Sequence, residues 1–196
     1  KKADFKQIGA RFRIDPVTAR IIRNRGIEGE AAIDRYLNGT LDDLYDPMLL
    51  KDMERAVSIL CEAVDTGKKI RIVGDYDIDG VTATYILIKG LERLGARADT
   101  YIPDRITDGY GIHMPLIYKA LEDGVDTIVT CDNGIAASKE IGFAKEKGLT
   151  VIVTDHHEVP YIEENGERKE QLPPALAVVD PKRSDDSYPF PGICGG

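Results

Sequence analysis

Cysteine is sparse and odd in number, with Cys61, Cys131 and Cys194 alone among 196 residues. None forms a Cys-x-x-Cys pair, which argues against a zinc cluster or a disulfide framework and leads us to expect a reduced, cytoplasmic setting. No apolar run approaches the length of a membrane span, and no signal peptide opens the chain, so no membrane partner is expected. Basic charge is also short: 26 Lys and Arg face 34 Asp and Glu, a net charge of −8. That balance argues against a protein that coats nucleic acid non-specifically. It leaves a phosphodiester substrate open, because a carboxylate-rich metal site is negative until its cations bind. There is no repeat and no low-complexity tract, and the charged stretch Glu163–Gln171 reads as a solvated loop. Cys131 directly precedes Asp132, yet a small buried residue ending a strand is a simpler account of it than a thiol nucleophile.

At 42% hydrophobic, the chain can bury one core and carry an extension. Residues 1–68 read as a helical extension. Asp15-Pro16 is an N-cap followed by proline at the first helical position, with Gly26 as a stop. A second helix fits Glu28 to Leu37. A third fits Asp52 to Val64, where Met53, Ala56, Val57, Leu60 and Val64 recur at helical spacing. Arg20, Arg23 and Arg25 read as a solvated basic face rather than a DNA contact. From residue 69 the texture changes to alternating strands (69–74, 98–103, 126–131, 149–154, 175–179) and helices (81–94, 113–122, 136–147), with glycine at each helix exit. This pattern predicts an α/β fold: a parallel β-sheet flanked by helices, preceded by the helical extension. The closing run Pro191-Gly-Ile-Cys-Gly-Gly196 is a poor end for a domain, so we expect the 69–196 domain to be truncated there, with basic surface on the continuation.

The chemistry concentrates at predicted strand ends. Asp75, Asp77 and Asp79 alternate in Ile-Val-Gly-Asp-Tyr-Asp-Ile-Asp-Gly (72–80), directly after an apolar strand. Three carboxylates this close repel one another unless a cation sits among them, and hard divalent cations take oxygen ligands. An EF-hand loop would share the Asp-x-Asp-x-Asp-Gly opening, but its twelfth position needs Glu and here is Ile86, and a strand rather than a helix enters it. Thr-Cys-Asp-Asn-Gly (130–134) and Val-Thr-Asp-His-His-Glu (153–158) close two further apolar runs. In parallel sheets ligands bind beyond the carboxyl ends of the strands, so the three groups are expected to converge. Mixed carboxylate and imidazole donors suit Mn²⁺ or Mg²⁺, manganese being favoured by the histidines. Two such ions sharing a carboxylate clamp a phosphoryl group and acidify a water. Taken singly, the same residues could be helix caps, Asx turns and surface hydrogen bonds. His113, at a predicted helix start, reads as a capping residue, and Gly109-Tyr110-Gly111 does not complete a phosphate-binding loop.

In order along the chain, Asp75-Tyr-Asp-Ile-Asp-Gly80, Asp132-Asn-Gly134 and Asp155-His156-His157 resemble the first three motifs of the DHH phosphoesterase superfamily. Ile102-Pro-Asp-Arg-Ile-Thr-Asp-Gly-Tyr-Gly111 and Tyr188-Pro-Phe-Pro-Gly-Ile-Cys-Gly195 are similar to its RecJ exonuclease branch, so the resemblance covers essentially the whole chain. The resemblance implies a DHH phosphoesterase domain over 69–196 and a metal-dependent 5′→3′ exonuclease acting on single-stranded DNA in recombination and repair. It further implies a single-strand-binding protein and a helicase as partners. Asp77 and Asp79 would bind one metal each, Asp132 would bridge the two and His156 would ligate. His157 would contact the scissile phosphate. Asp75 and Asp155 would orient these groups, with Asp75 in reach of a metal. Two departures stand out: Val73 replaces a ligating His of some relatives, and the family's fourth motif and second domain would lie past Gly196. The alternatives are another DHH phosphoesterase (an oligoribonuclease, a cyclic-dinucleotide phosphodiesterase or a pyrophosphatase) and a non-catalytic binding module.

Overall fold

The computed structural model describes residues 3–109, 111–164 and 166–196. It divides into two compact units, Lys1–Asp46 and Pro47–Gly196. The first holds α1 (Phe5–Phe12), α2 (Pro16–Asn24) and α3 (Glu30–Asn38). Asp15 caps α2 as expected, its carboxylate accepting from the amides of Val17 at 2.8 Å and Thr18 at 3.0 Å. Ala19, Ile22 and Ile33 are its buried side chains. The arginines expected on a free basic face are partly engaged within this unit. Arg23 pairs with Glu28 at 2.8 Å and donates to the Ile27 carbonyl, and Arg25 donates to the Tyr36 hydroxyl.

The second unit is a five-stranded, wholly parallel sheet: β1 (Lys69–Val73), β2 (Arg97–Tyr101), β3 (Thr127–Cys131), β4 (Thr150–Thr154) and, at one edge, β7 (Ala177–Val179). Its order is β2-β1-β3-β4-β7. Period-two alternation sends successive residues of each strand to opposite faces, and both faces are covered. On one face Ile70, Ile72, Val129, Ile152 and Val179 pack with Ala56 and Ala63 of α4 (Met53–Asp65) and with Ala83 and Leu91 of α5 (Ile78–Arg93). On the other, Val73, Ile128, Val151, Val153 and Val178 pack with Leu116, Ile117 and Ala120 of α6 (Met114–Glu122) and with Ile141 and Ala144 of α7 (Ser138–Glu146). The strands and helices foreseen from residue 69 onward are present, with no end shifted by more than three residues. Helix α4, grouped by sequence with the preceding helices, lies against the sheet in this unit. Its cap residue Asp52 accepts from the Val178 amide at 3.1 Å and from Arg183 Nη1 at 2.9 Å, fastening the helix start to β7.

One expectation is corrected. The stretch Glu163–Gln171 is not a plain loop: β5 (Tyr161–Glu164) and β6 (Glu167–Glu170) form an antiparallel hairpin, exposed along most of its length, which explains why no apolar alternation signals it. The helix α1 carries its own cap, Asp4, and is not singled out by the patterns above. Tyr110 of the Gly-Tyr-Gly turn lies outside the described residues. His113 caps α6, its Nδ1 accepting from the Leu116 amide at 3.3 Å. Among the described residues no helix is long and apolar enough to cross a membrane.

The edge strand β7 delivers one more carboxylate. Asp180 is 0% exposed; one oxygen accepts from the Lys182 amide at 2.8 Å, and the other is buried with no hydrogen-bond partner. Burial, reinforced by the charge of Asp155, pushes its pKa up to about 7. The folded state therefore holds a proton that the unfolded chain releases near pH 4. Stability contributed by that proton is full at low pH and is lost as pH rises through about 7. One such group contributes a slope of up to about 1.4 kcal/mol per pH unit. In EDTA, urea unfolding of the wild type should show stability falling between pH 5 and 7, and Asp180→Asn should flatten that fall. Parallel slopes in the two proteins would show that Asp180 is ionised in the fold.

Candidate metal centre

The strand order reverses direction between β1 and β3, and in open α/β sheets the crevice at such a reversal, beyond the carboxyl ends, is where ligands bind. Asp75–Asp79 follow β1, Asp132 follows β3, and Asp155–His157 follow β4. The parallel register aligns Val73 with Thr130 and Cys131 with Thr154, so the three chain exits emerge at one level. Asn133 stitches this edge together: its Nδ2 donates to the carbonyls of Val73 at 3.0 Å and Cys131 at 2.9 Å.

After β1 the chain turns at once into α5. A Cβ at Gly80 would lie 2.6 Å from the backbone and Cβ of Asp75, so only glycine lets the helix start against that carboxylate. Asp77 is the N-cap of α5; its Oδ1 accepts from the amides of Asp79 at 2.9 Å and Gly80 at 3.0 Å. The capping role and a ligand role are compatible, since a carboxylate has about four lone-pair sites and the cap uses one oxygen. After β3, Asp132 takes a left-handed backbone (φ 62°) and donates its amide to the Thr154 carbonyl at 3.1 Å, which points a 2%-exposed carboxylate into the crevice.

Among the described residues two groups of potential ligand atoms result, each gathered within 4.8 Å: Asp75, Asp77 and Asp132, and Asp132, His156 and His157. Asp132 belongs to both. Asp79 adjoins the second group, its Oδ2 lying 3.5 Å from His156 Nε2. Burial and the charge of Asp79 push the Asp132 pKa up to about 6, and burial raises that of Asp75 as well, leaving one of its oxygens without a hydrogen-bond partner. His156 gives the clearest test of fit for a cation. Its Nδ1 lies 2.9 Å from the Ile193 carbonyl, an acceptor, so that nitrogen carries the proton. In the neutral ring Nε2 then faces Asp132 Oδ1, 2.8 Å away, with a lone pair. Two acceptors at that distance require a proton or a metal ion between them. Two oxygen or nitrogen ligands of one ion at bond lengths of about 2.1 Å stand about 3 Å apart in octahedral geometry. The donor set therefore fits a hard divalent cation.

Asp155 plays a different part. Its buried carboxylate accepts from the amides of Ile135 at 2.9 Å, His156 at 2.8 Å and His157 at 3.2 Å, and from His157 Nδ1 at 2.7 Å. It holds the loop after β4 and fixes the His157 ring. Burial works against a charged His157, but the hydrogen bond and charge of Asp155 outweigh it, and the ring's pKa is raised. Beside His157 opens a cavity of about 310 Å³ lined by Ile112, Ile135, Ala136, Ala137, Glu140 and Glu158. The loop after β2 reaches the same edge: Asp108 accepts from the Tyr101 hydroxyl and the Asp104 amide, and Arg105 lies 5.5 Å from the centre of the Tyr76 ring.

All seven residues singled out by sequence thus lie at one edge of the sheet. Three contributors were missed: Asp180 and the backbones of Ile193 and Gly195–Gly196. The first ends a three-residue strand that gives a weak pattern. The others act through carbonyl and amide groups, which leave no trace in residue type. Their one signal is the resemblance of the run Tyr188–Gly195 to known exonucleases.

The model of the DHH family, N-terminal domain, matches residues 69–195, beginning at the first residue of β1. The single-stranded-DNA-specific exonuclease RecJ of Bacillus subtilis is 37% identical over 190 residues, 97% of this chain and 23% of that protein. The RecJ of Haemophilus influenzae is 38% identical, covering 92% of this chain and 29% of that protein. The chain thus spans about a quarter of the length of these relatives. A crystal structure of exonuclease RecJ bound to manganese matches 74% of this chain and 34% of that one with a TM-score of 0.62 and 38% identity. RecJ of Thermus thermophilus in complex with Mn²⁺ matches 93% of this chain and 24% of that one, with the same TM-score and 32% identity. The five-stranded parallel sheet, the three motifs at its carboxyl edge and these matches together establish that the chain belongs to the DHH family, carrying that family's N-terminal domain.

Proposed function

We propose that this protein is a metal-dependent 5′→3′ exonuclease that hydrolyses phosphodiester bonds of single-stranded DNA in recombination and repair. The observation that carries the reading is Asp132: one buried carboxylate common to both ligand groups, 2.8 Å from Nε2 of His156. Asp77 and Asp79 are assigned one ion each, Asp132 both, and His156 joins through Nε2. Mn²⁺ or Mg²⁺ bound there supplies neutralisation of phosphoryl charge and a water acidic enough to attack near neutral pH. The relatives crystallised with manganese support the choice of ion.

The chain's own residues supply the rest. Asp155 accepts a hydrogen bond from the Nδ1–H of His157, so the ring offers Nε2 to the substrate. In its protonated form, which Asp155 favours, the ring donates from Nε2 to a non-bridging phosphate oxygen whose charge grows in the transition state. Asp75, buried beneath the first turn of α5, orients these groups and stays within reach of an ion. The cavity beside His157 gives room for the terminal nucleoside. Three free cysteines accord with a cytoplasmic protein, and a single-strand-binding protein and a helicase are the partners this role implies.

Calorimetric titration of Mn²⁺ should show Asp132→Ala binding at least tenfold to a hundredfold more weakly than wild type, since losses of that size attend even residues that only support a ligand. Equal affinity would remove Asp132 from the site. Full-length protein should degrade 5′-labelled single strands while leaving blunt duplex largely intact, because opening a duplex costs about 1.4 kcal/mol per base step. Comparable rates on both, or faster hydrolysis of cyclic dinucleotides, would point instead to another phosphoesterase of the family. His157→Ala should lower kcat on the order of 10² to 10³, as loss of one well-placed donor does, with the metal count unchanged. A lost metal in that variant would exchange the roles of the two histidines.

A further inference from the structure

The segment Ile193–Gly196 makes contact with three of the residues assigned to the ions, and it does so entirely through its backbone. The Gly195 amide donates to Asp79 Oδ2 at 2.8 Å and the Gly196 amide to Asp79 Oδ1 at 3.1 Å. Two adjacent N–H groups thus grip both oxygens of one carboxylate. The Ile193 carbonyl accepts from His156 Nδ1 at 2.9 Å. At Gly195 a Cβ would stand 2.8 Å from Asp132 Cβ and 3.0 Å from its Cγ and Oδ1. Asp132 cannot retreat, because its side chain is buried and its left-handed backbone is pinned to the Thr154 carbonyl.

We propose that Ile193–Gly196 is a backbone clamp that sets the orientation of Asp79, Asp132 and His156, with Gly195 a positioning residue of the metal centre; the inference rests on the metal reading above. Each contact has a distinct effect. The paired amides fix the plane of the Asp79 carboxylate while leaving it further lone pairs for a cation. The Ile193 carbonyl selects the tautomer of His156 that presents Nε2 as the ligand atom, the usual service of a hydrogen bond behind a metal-binding imidazole. The missing Cβ of Gly195 lets the segment lie directly on Asp132. The neighbouring Gly192 is under no such constraint: a Cβ there would meet only the Phe190 ring, at 3.7 Å, an ordinary contact.

The test compares Gly195→Ala, Gly192→Ala and Asp132→Ala in the full-length protein, by Mn²⁺ calorimetry and by melting in EDTA. Gly195→Ala should bind Mn²⁺ at least about tenfold more weakly, with a metal-free Tm close to wild type, and excess Mn²⁺ should restore part of its hydrolysis of single strands. Gly192→Ala should match wild type in both measurements. Wild-type affinity in Gly195→Ala, or a fall in Tm without a fall in affinity, would overturn the clamp. Should Gly195→Ala fail to fold, deuterium uptake decides in proteins that do: the peptide holding Gly195 and Gly196 should be protected in metal-free wild type and less so in Asp79→Ala. Equal uptake in the two would equally overturn it. The two readings fail separately: if Asp132→Ala keeps wild-type Mn²⁺ affinity the metal assignment falls, whereas if only Gly195→Ala keeps it the clamp alone falls.

Discussion

Like charge held at close range is the constraint around which the second unit is arranged. Asp75, Asp77, Asp79 and Asp132 converge on one crevice, two of them almost wholly buried. A pair of unit charges about 4 Å apart interacts by about 4 kcal/mol at the effective dielectric of a protein surface, and burial raises that. The fold answers with oriented dipoles. The first turn of α5 turns its amides on Asp77, the Gly195 and Gly196 amides turn on Asp79, and His156 adjoins Asp132. What remains is a site in which Asp132 and Asp75 are still held above the ordinary carboxylate range, the condition that a divalent cation relieves.

The polar scaffold behind the crevice is as ordered as the crevice itself. Asp155 gathers three amides and one imidazole, and Asn133 ties β1 to β3 at the point where the sheet changes direction. Both are buried, so each unmade hydrogen bond would carry a desolvation penalty of about 1–3 kcal/mol. That penalty makes the arrangement specific: the loops after β1, β3 and β4 have few other ways to satisfy these groups. The apolar layers on the two faces of the sheet then fix the level at which the three loops emerge.

Much of this was legible in the residues. Asp15-Pro16 announced α2, glycine marked helix exits, and short stretches rich in Ile and Val gave the interior strands because both faces of a parallel sheet are buried. The hairpin β5–β6 was not legible, since its exposed charged strands carry no apolar period. Nor was the attachment of α4 to β7, which runs through Asp52 and Arg183, residues 131 positions apart.

By itself the sequence determined which residue types stand at the carboxyl ends of the strands, because the period of apolar residues locates strand ends and a cluster of acids there has few uses besides a cation. Only the tertiary structure decided which of those acids meet. Asp132 became the shared member of two ligand groups through sheet register and a left-handed turn, and Asp77 proved to be a helix cap as well as a candidate ligand. The contacts of Ile193, Gly195 and Gly196 were decided there too. Every residue carries the same amide and carbonyl, so a site built partly from backbone is invisible until the chain is folded.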